Sequence, residues 1–204
     1  NCAAMTHVEN CEREALAAFE ANAGGARHVA MAATAAGARL IHISTDYVFD
    51  GEKRSPYAEH DFPRPLNIYG SSKLAGEWAV RAEGHAHIVL RTSGLYGLNA
   101  CRGKGTNFVE TMMKRAQSGA ATRVVSDEVL TPTFSVDLAN QIRTMLEHDV
   151  PGGVYHAANS GSCSWFEFAK EIFRHAGVAD APDSVTAREW NSAVRRPAYS
   201  VLEN

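Results

Sequence analysis

The chain has 204 residues, 45% of them hydrophobic, with 20 Lys and Arg against 23 Asp and Glu for a formal net charge of −3. That balance supports a folded core. With no long Lys/Arg run it excludes a nucleic-acid footprint, and no apolar stretch is long enough to span a bilayer or reads as a signal peptide.

The opening "NCAAMT" reads as the end of a strand already in progress, so the chain is expected to begin inside a domain. Residues 10–36 are Ala-rich and favour helix. Asn22 and Gly24-Gly25 should divide this stretch into two pieces, the second with Val29, Ala32 and Ala33 on its apolar face. Gly37 fits a helix stop. Residues 39–43 read as a buried strand of a parallel sheet. Residues 50–67 contain Pro56, Pro63 and Pro65 and must form a loop. A helix over 68–83 follows, then a strand over 85–92, on which the alternating His85 and His87 mark one exposed edge. A Gly-rich loop spans 94–105. The next helix, 107–118, carries Phe108, Met112 and Ala116 on one stripe. A short strand at 123–125 precedes a helix over 136–147 with Ser135 as its N-cap. A strand at 153–157 leads to a helix capped by Ser164 and running to His175, with Trp165, Phe168 and Ile172 inward. Beyond it only "RRPAYS" stands out. This alternation predicts an α/β fold, Rossmann-like, with a mostly parallel sheet. Ligands of such sheets sit outside the carboxyl ends of the strands.

Cys2, Cys11, Cys101 and Cys163 show no C-x-x-C spacing and no zinc pattern with His. Reduced thiols, no bound metal and a cytoplasmic location are therefore expected.

Two strand ends are rich in polar tips: Ser44, Thr45, Asp46 and Tyr47 after the first strand, Thr92 and Ser93 after the second. Tyr69 and Lys73 stand four apart on the intervening helix and share a face. A phenol titrates near 10, too high for easy proton exchange at neutral pH, and a neighbouring ammonium lowers it. With the Thr45 hydroxyl to hold a carbonyl oxygen, the pair is a proton donor and acceptor for a carbonyl/alcohol couple. The hydride must come from a cofactor, since no side chain delivers one. A lone Tyr-x-x-x-Lys arises by chance on ordinary helices. The weight lies in the order: strand, Ser-Thr-Asp, loop, Tyr-x-x-x-Lys helix, strand ending in Arg-Thr-Ser.

On the stretches "IHISTDYVFDG", "NIYGSSKLAGE", "LRTSGLYG", "GTNFVETMMKRA", "TPTFSVDLA", "GVYHAANSGSCSWFEFAKEIF" and "RRPAYS" the chain resembles the extended short-chain dehydrogenases/reductases, and among them the dTDP-4-dehydrorhamnose reductases. The resemblance implies NADPH-dependent reduction (NADH possible) of the 4-keto group of a dTDP-4-dehydro-6-deoxy sugar, dTDP-4-dehydro-L-rhamnose going to dTDP-L-rhamnose. It assigns Thr45, Tyr69 and Lys73 to catalysis. Cys2, Ala3, Ala4, Tyr69, Lys73, Thr92 and Ser93 would meet the cofactor. Asp46, Tyr47, Asn107, Phe108, Thr131 and Thr133 would meet the nucleotide sugar. It also implies that residues 1–125 belong mainly to the dinucleotide-binding domain and 126–204 to a small substrate-binding lobe, with segments interleaved, and a possible homodimer. A role for Mg2+ is left open.

The chain departs from the family pattern in places. The glycine-rich dinucleotide fingerprint is absent and is expected upstream of "NCAA", so the chain reads as truncated at its N-terminus. Gly94 stands where relatives often carry Trp, and "DEVLTPT" replaces the commoner "DQ-x-G-x-PT". Two alternatives follow: another sugar-nucleotide epimerase or dehydratase, and a non-catalytic subunit resembling the regulatory β subunit of methionine adenosyltransferase.

Overall fold

A computed structural model of the chain describes residues 1–99 and 105–204. The expected loop at 94–105 therefore lies partly outside the described residues, as does Cys101. The first helical stretch comprises α1 (Val8–Arg13), α2 (Ala15–Phe19) and α3 (Gly25–Ala35). A π-helical turn over Glu20–Gly24 joins α2 to α3, so the division expected at Asn22 and Gly24-Gly25 is a widened turn inside one rod. The break falls earlier, at Glu14, whose φ of −121° and ψ of 55° leave the helical region. Asn22 explains the widened turn: it is fully buried and exchanges hydrogen bonds with Met5 N (2.7 Å), Met5 O (3.0 Å) and Ser72 Oγ (2.9 Å).

The inner face of α3 also differs from expectation. Ala26 and Ala30 are buried, whereas Val29 and Ala32 face solvent. The cause is the close packing of this rod on α4 (Ile68–Glu83). A Cβ on Gly76 of α4 would collide with the Asn22 carbonyl, and helices that approach this closely admit only small side chains between them. The helix α4 has the expected bounds, with the Asn67 side chain accepting from Gly70 N at 2.8 Å as its N-cap.

The strands are β1 (Ile41–Thr45), β2 (Ile88–Thr92), β3 (Leu95–Tyr96), β4 (Arg123–Val125), β5 (Val129–Leu130), β6 (Thr133–Phe134), β7 (Gly153–His156), β8 (Cys163–Ser164) and β9 (Asp183–Val185). The remaining helices are α5 (Phe108–Ser118), α6 (Ser135–Glu147), α7 (Trp165–His175) and α8 (Ala187–Trp190). The parallel strands β1, β2 and β7 form the main sheet with β2 in the middle. β1 begins two residues later than expected and runs through Thr45, so Ser44 and Thr45 take their directions from the sheet itself. β2 is buried along its length. His85 and His87 are thus not a strand edge: both precede β2, and only His85 is exposed. His87 is sealed, with Nε2 3.0 Å from Thr34 Oγ1. Asn1 lies alongside β1, its amino group donating to Ile41 O at 2.6 Å and its carbonyl accepting from Ile43 N at 3.1 Å.

A second core joins α5 and α7 through Met112, Ala116, Ala169, Ile172 and Phe173, with Val124 of β4. The Ser164 cap is a full capping box with Glu167. Ser135 is not the cap of α6: Phe134 holds that position with no side-chain bond, and the Ser135 hydroxyl lies against Gly97 instead. The tail, featureless as a pattern, supplies β9, which pairs with β4, and the short α8. The main sheet draws β7 from beyond residue 125, and the second core draws α5 and β4 from before it.

Candidate active site

The site is built where β1 ends. Thr45 is still extended, with φ of −143° and ψ of 152°, and the chain then closes into a 3-10 turn over Asp46–Val48. The Thr45 hydroxyl caps that turn, accepting from Tyr47 N at 3.2 Å. It also donates to Asp46 Oδ1 at 3.0 Å. The other Asp46 oxygen accepts from Ser93 Oγ at 2.8 Å, just past the end of β2. Asp46 is 3% exposed, and burial pushes its carboxyl above the usual range against the pull of hydroxyls on Ser200, Ser93 and Thr45.

The helix α4 brings the other half. Tyr69 is half-buried at its first turn, and its ring meets Tyr47 edge-on, with centroids 5.7 Å apart at 73°. Gly70 lets the helix seat there, because a Cβ would run into the Tyr47 carbonyl. Lys73, one turn on, is 3% exposed and donates from Nζ to Ile43 O at 2.6 Å. Burial pushes its ammonium down to about 8, with Glu77 and Cys2 pulling the other way. The Tyr47 phenol is pushed up by burial and by Asp46.

Beneath these residues lies a sealed ionic network. Glu77, one further turn along α4, accepts from Arg91 Nε at 2.9 Å and Nη2 at 2.7 Å, and from Ser44 Oγ at 2.5 Å. It thereby ties α4 to both β1 and β2. Glu77 and Arg91 lie within the motifs quoted from the sequence but neither was given a role there, although Tyr69, Lys73 and Glu77 follow one i, i+4 spacing. Two further groups lie in quoted stretches, "RRPAYS" and "DEVLTPT", without having been given a role. The Arg196 guanidinium pairs with Glu9 and donates to Ser192 Oγ at 2.7 Å. Burial raises Glu128 to about 6, and Arg196 opposes that shift.

The expected residues thus fall into groups. Thr45, Asp46 and Ser93 are hydrogen-bonded to one another, Tyr47 touches Tyr69, and Thr45 pairs with Thr92 across the sheet. Thr131 and Thr133 are sealed. Thr131 Oγ1 donates to Gly161 O at 2.9 Å, Thr133 Oγ1 to Thr131 O at 3.3 Å, and Thr131 N reaches Ser93 Oγ at 3.4 Å. Asn107 caps α5 and ties it to Gly97 O at 2.9 Å. Phe108 packs in the second core against Trp165 and Phe168. A separate cleft of about 610 Å³, lined by Lys53, Ser55, Asn159 and Tyr199 among others, includes none of Thr45, Tyr69 or Lys73.

The strand ends fit a flat, polar-edged cofactor. Cys2 and Ala3 are exposed and small, and Thr92 Oγ1 is buried without a partner among the described residues. An orphaned buried hydroxyl of this kind costs about 1–3 kcal/mol, a penalty that a ligand's polar group would remove.

A family model described as "RmlD substrate binding domain" matches residues 1–204. The chain belongs to this family. Among curated members, the spore coat polysaccharide biosynthesis protein SpsK of Bacillus subtilis is 44% identical over 204 residues, all of this chain and 70% of the relative. A dTDP-4-dehydrorhamnose reductase of Sinorhizobium fredii is 37% identical over 98% of this chain and 69% of its own. The crystal structure of dTDP-4-dehydrorhamnose reductase from Bacillus anthracis in complex with NADP matches with a TM-score of 0.94 at 42% identity, covering all of this chain and 70% of that one. The TM-score of 0.94 over the whole chain puts the parallel sheet and the tail on the fold of that relative.

Proposed function

We propose that the chain is part of an NADPH-dependent oxidoreductase that reduces the 4-keto group of a dTDP-4-dehydro-6-deoxy sugar, with dTDP-4-dehydro-L-rhamnose as the first substrate to try. The observation that carries this reading is the convergence of Thr45, Tyr69 and Lys73 at the carboxyl end of the sheet. Relatives bearing the reductase name and the NADP-bound neighbour support it.

In this reading the sugar carbonyl oxygen sits between the hydroxyls of Thr45 and Tyr69. Thr45 orients the oxygen, and Tyr69 gives it a proton as negative charge develops. Lys73, anchored on Ile43 O, places positive charge beside the phenol and meets the nicotinamide ribose. Thr92 and the segment Cys2–Ala4 line the same side. NADPH, when bound, supplies the hydride to C4.

A second reading keeps the chemistry and changes the sugar. Gly94 has φ of +53°, and a Cβ there would lie 2.6 Å from Leu130 Cδ1. Leu130 therefore occupies the space that a side chain at position 94 would enter. The SpsK relative, with its role in coat polysaccharide, favours the same view.

The test is NADPH oxidation by the protein carrying these 204 residues, offered dTDP-4-dehydro-L-rhamnose and other dTDP-4-ketosugars. Turnover of the rhamnose precursor supports the first reading, and turnover of another ketosugar alone supports the second. NADPH binding without turnover of any ketosugar overturns both.

A further inference from the structure

The Thr45 hydroxyl has one proton, and in the resting arrangement that proton is spent. Thr45 Oγ1 donates to Asp46 Oδ1 and accepts from Tyr47 N. A hydroxyl has one donor and two acceptor positions. To grip a carbonyl oxygen it must donate to that oxygen, so the proton must turn away from Asp46. Asp46 Oδ1 would then face a lone pair of Thr45 at 3.0 Å, and an ionised oxygen in that position would repel it.

Asp46 Oδ2 cannot take the missing proton without disturbing its other bond. Ser93 Oγ accepts from Thr131 N and donates its proton to Asp46 Oδ2. A proton on Oδ1, the oxygen that faces Thr45, leaves the Ser93 bond as it stands. No cation is within salt-bridge reach of Asp46 among the described residues. Lys73 is committed to Ile43 O, and Arg196 to Glu9. The groups packed around the carboxyl are the hydroxyls of Thr45, Ser93 and Ser200 and the Tyr47 phenol. Tyr47 faces Tyr69, Glu128 and Arg196 in turn.

We propose that Asp46 is a positioning residue that works as a neutral acid: its Oδ1–H donates to Thr45 Oγ1 and turns the threonine proton toward the substrate carbonyl. Thr45 then accepts from Tyr47 N and Asp46 and donates to the sugar oxygen, which uses its full hydrogen-bonding capacity. Burial that favours the neutral carboxyl supports this arrangement. The idea rests on the reductase reading for its catalytic consequence, but not for the protonation state.

Two measurements test it. The first needs no turnover: infrared difference spectra of the protein against Asp46→Asn at neutral pH. A protonated-carboxyl stretch that disappears in the variant is expected. Its absence from the parent protein overturns the proposal whether or not the reductase reading stands. The second is the dependence of log kcat on pH. Under this proposal the activity of the parent falls on the alkaline side as Asp46 ionises, on top of any fall through Lys73. The side-chain amide of D46N keeps a donor toward Thr45 at every pH, so this variant, scaled to its own plateau, must lose one proton's worth of alkaline slope. A D46N profile as steep as the parent's overturns the proposal. Should D46N fold poorly, Thr45→Val provides the control: it must remove the same increment of slope, and a Thr45→Val profile as steep as the parent's also overturns it.

Discussion

Glu77 and Arg91 meet through two hydrogen bonds, 2.9 and 2.7 Å long, with both side chains almost entirely sealed from solvent. The pair stands beneath the proposed catalytic face, since Glu77 also holds Ser44, the neighbour of Thr45. Breaking a buried pair by neutralising one partner strands the other charge and costs about 3–5 kcal/mol. Glu77→Gln is therefore expected to lower the unfolding free energy by about that amount in urea titrations. A loss no larger than that of an exposed pair such as Arg174–Glu171 would refute it.

Tyr69→Phe removes the proposed proton donor and keeps the ring that meets Tyr47. A general acid contributes about 100-fold to 10,000-fold in rate. The variant should lose that much kcat while NADPH affinity, read by nicotinamide fluorescence, changes little. Normal turnover would sink the mechanism.

Gly70→Ala tests the seating of α4. The added methyl would meet the Tyr47 carbonyl, with Pro65 Cβ 3.0 Å away on the same side. Overpacking of this kind costs about 1–3 kcal/mol. Because the helix start must shift away from the β1 end, kcat should fall beyond what lost stability explains. Unchanged kcat at full folding would show that Tyr69 does not need this contact.

His42 gives a pH signature. It is fully buried in β1, and burial, then Lys73 and the N-terminal amino group, push its imidazole from 6.5 down to about 3. The folded value lies below the unfolded one, so between the two the unfolded chain binds the proton and the folded chain does not. Stability contributed by neutral His42 is present above pH 6.5 and is lost as pH falls toward 3, at about 1.4 kcal/mol per pH unit for one proton. His42→Gln should flatten the fall of unfolding free energy over that window. An unaltered slope would assign the acid sensitivity elsewhere, with buried His156 the next candidate.

Where local signals were strong, the sequence was legible. The bounds read for α4 and β4 and the Ser164 cap of α7 match the structure. Where the deciding partner was distant, the reading slipped. Val29 looked like the inward residue of α3 because it is the larger apolar side chain, but the close approach of Asn22 to Gly76 leaves room only for alanine. His87 looked like an exposed edge because nothing local reveals Thr34 as its partner. Glu77 was given no role because a glutamate on a helix is ordinarily solvated, and only the arrival of Arg91 from β2 explains its burial.

By itself the sequence determined the order of the main-sheet strands and the longer helices and the chemical groups at the strand ends, because periodicity, capping and side-chain type are local properties. It also determined that Tyr69 and Lys73 share one helical face. Only the tertiary structure decided what those groups spend their hydrogen bonds on: Thr45 on Asp46, Asp46 on Ser93, Lys73 on Ile43, Glu77 on Arg91. Most of these partners lie many residues apart in the chain. Their pairing is enforced by the penalty for leaving a buried polar group unpaired, and that penalty exists only once the chain has folded around them.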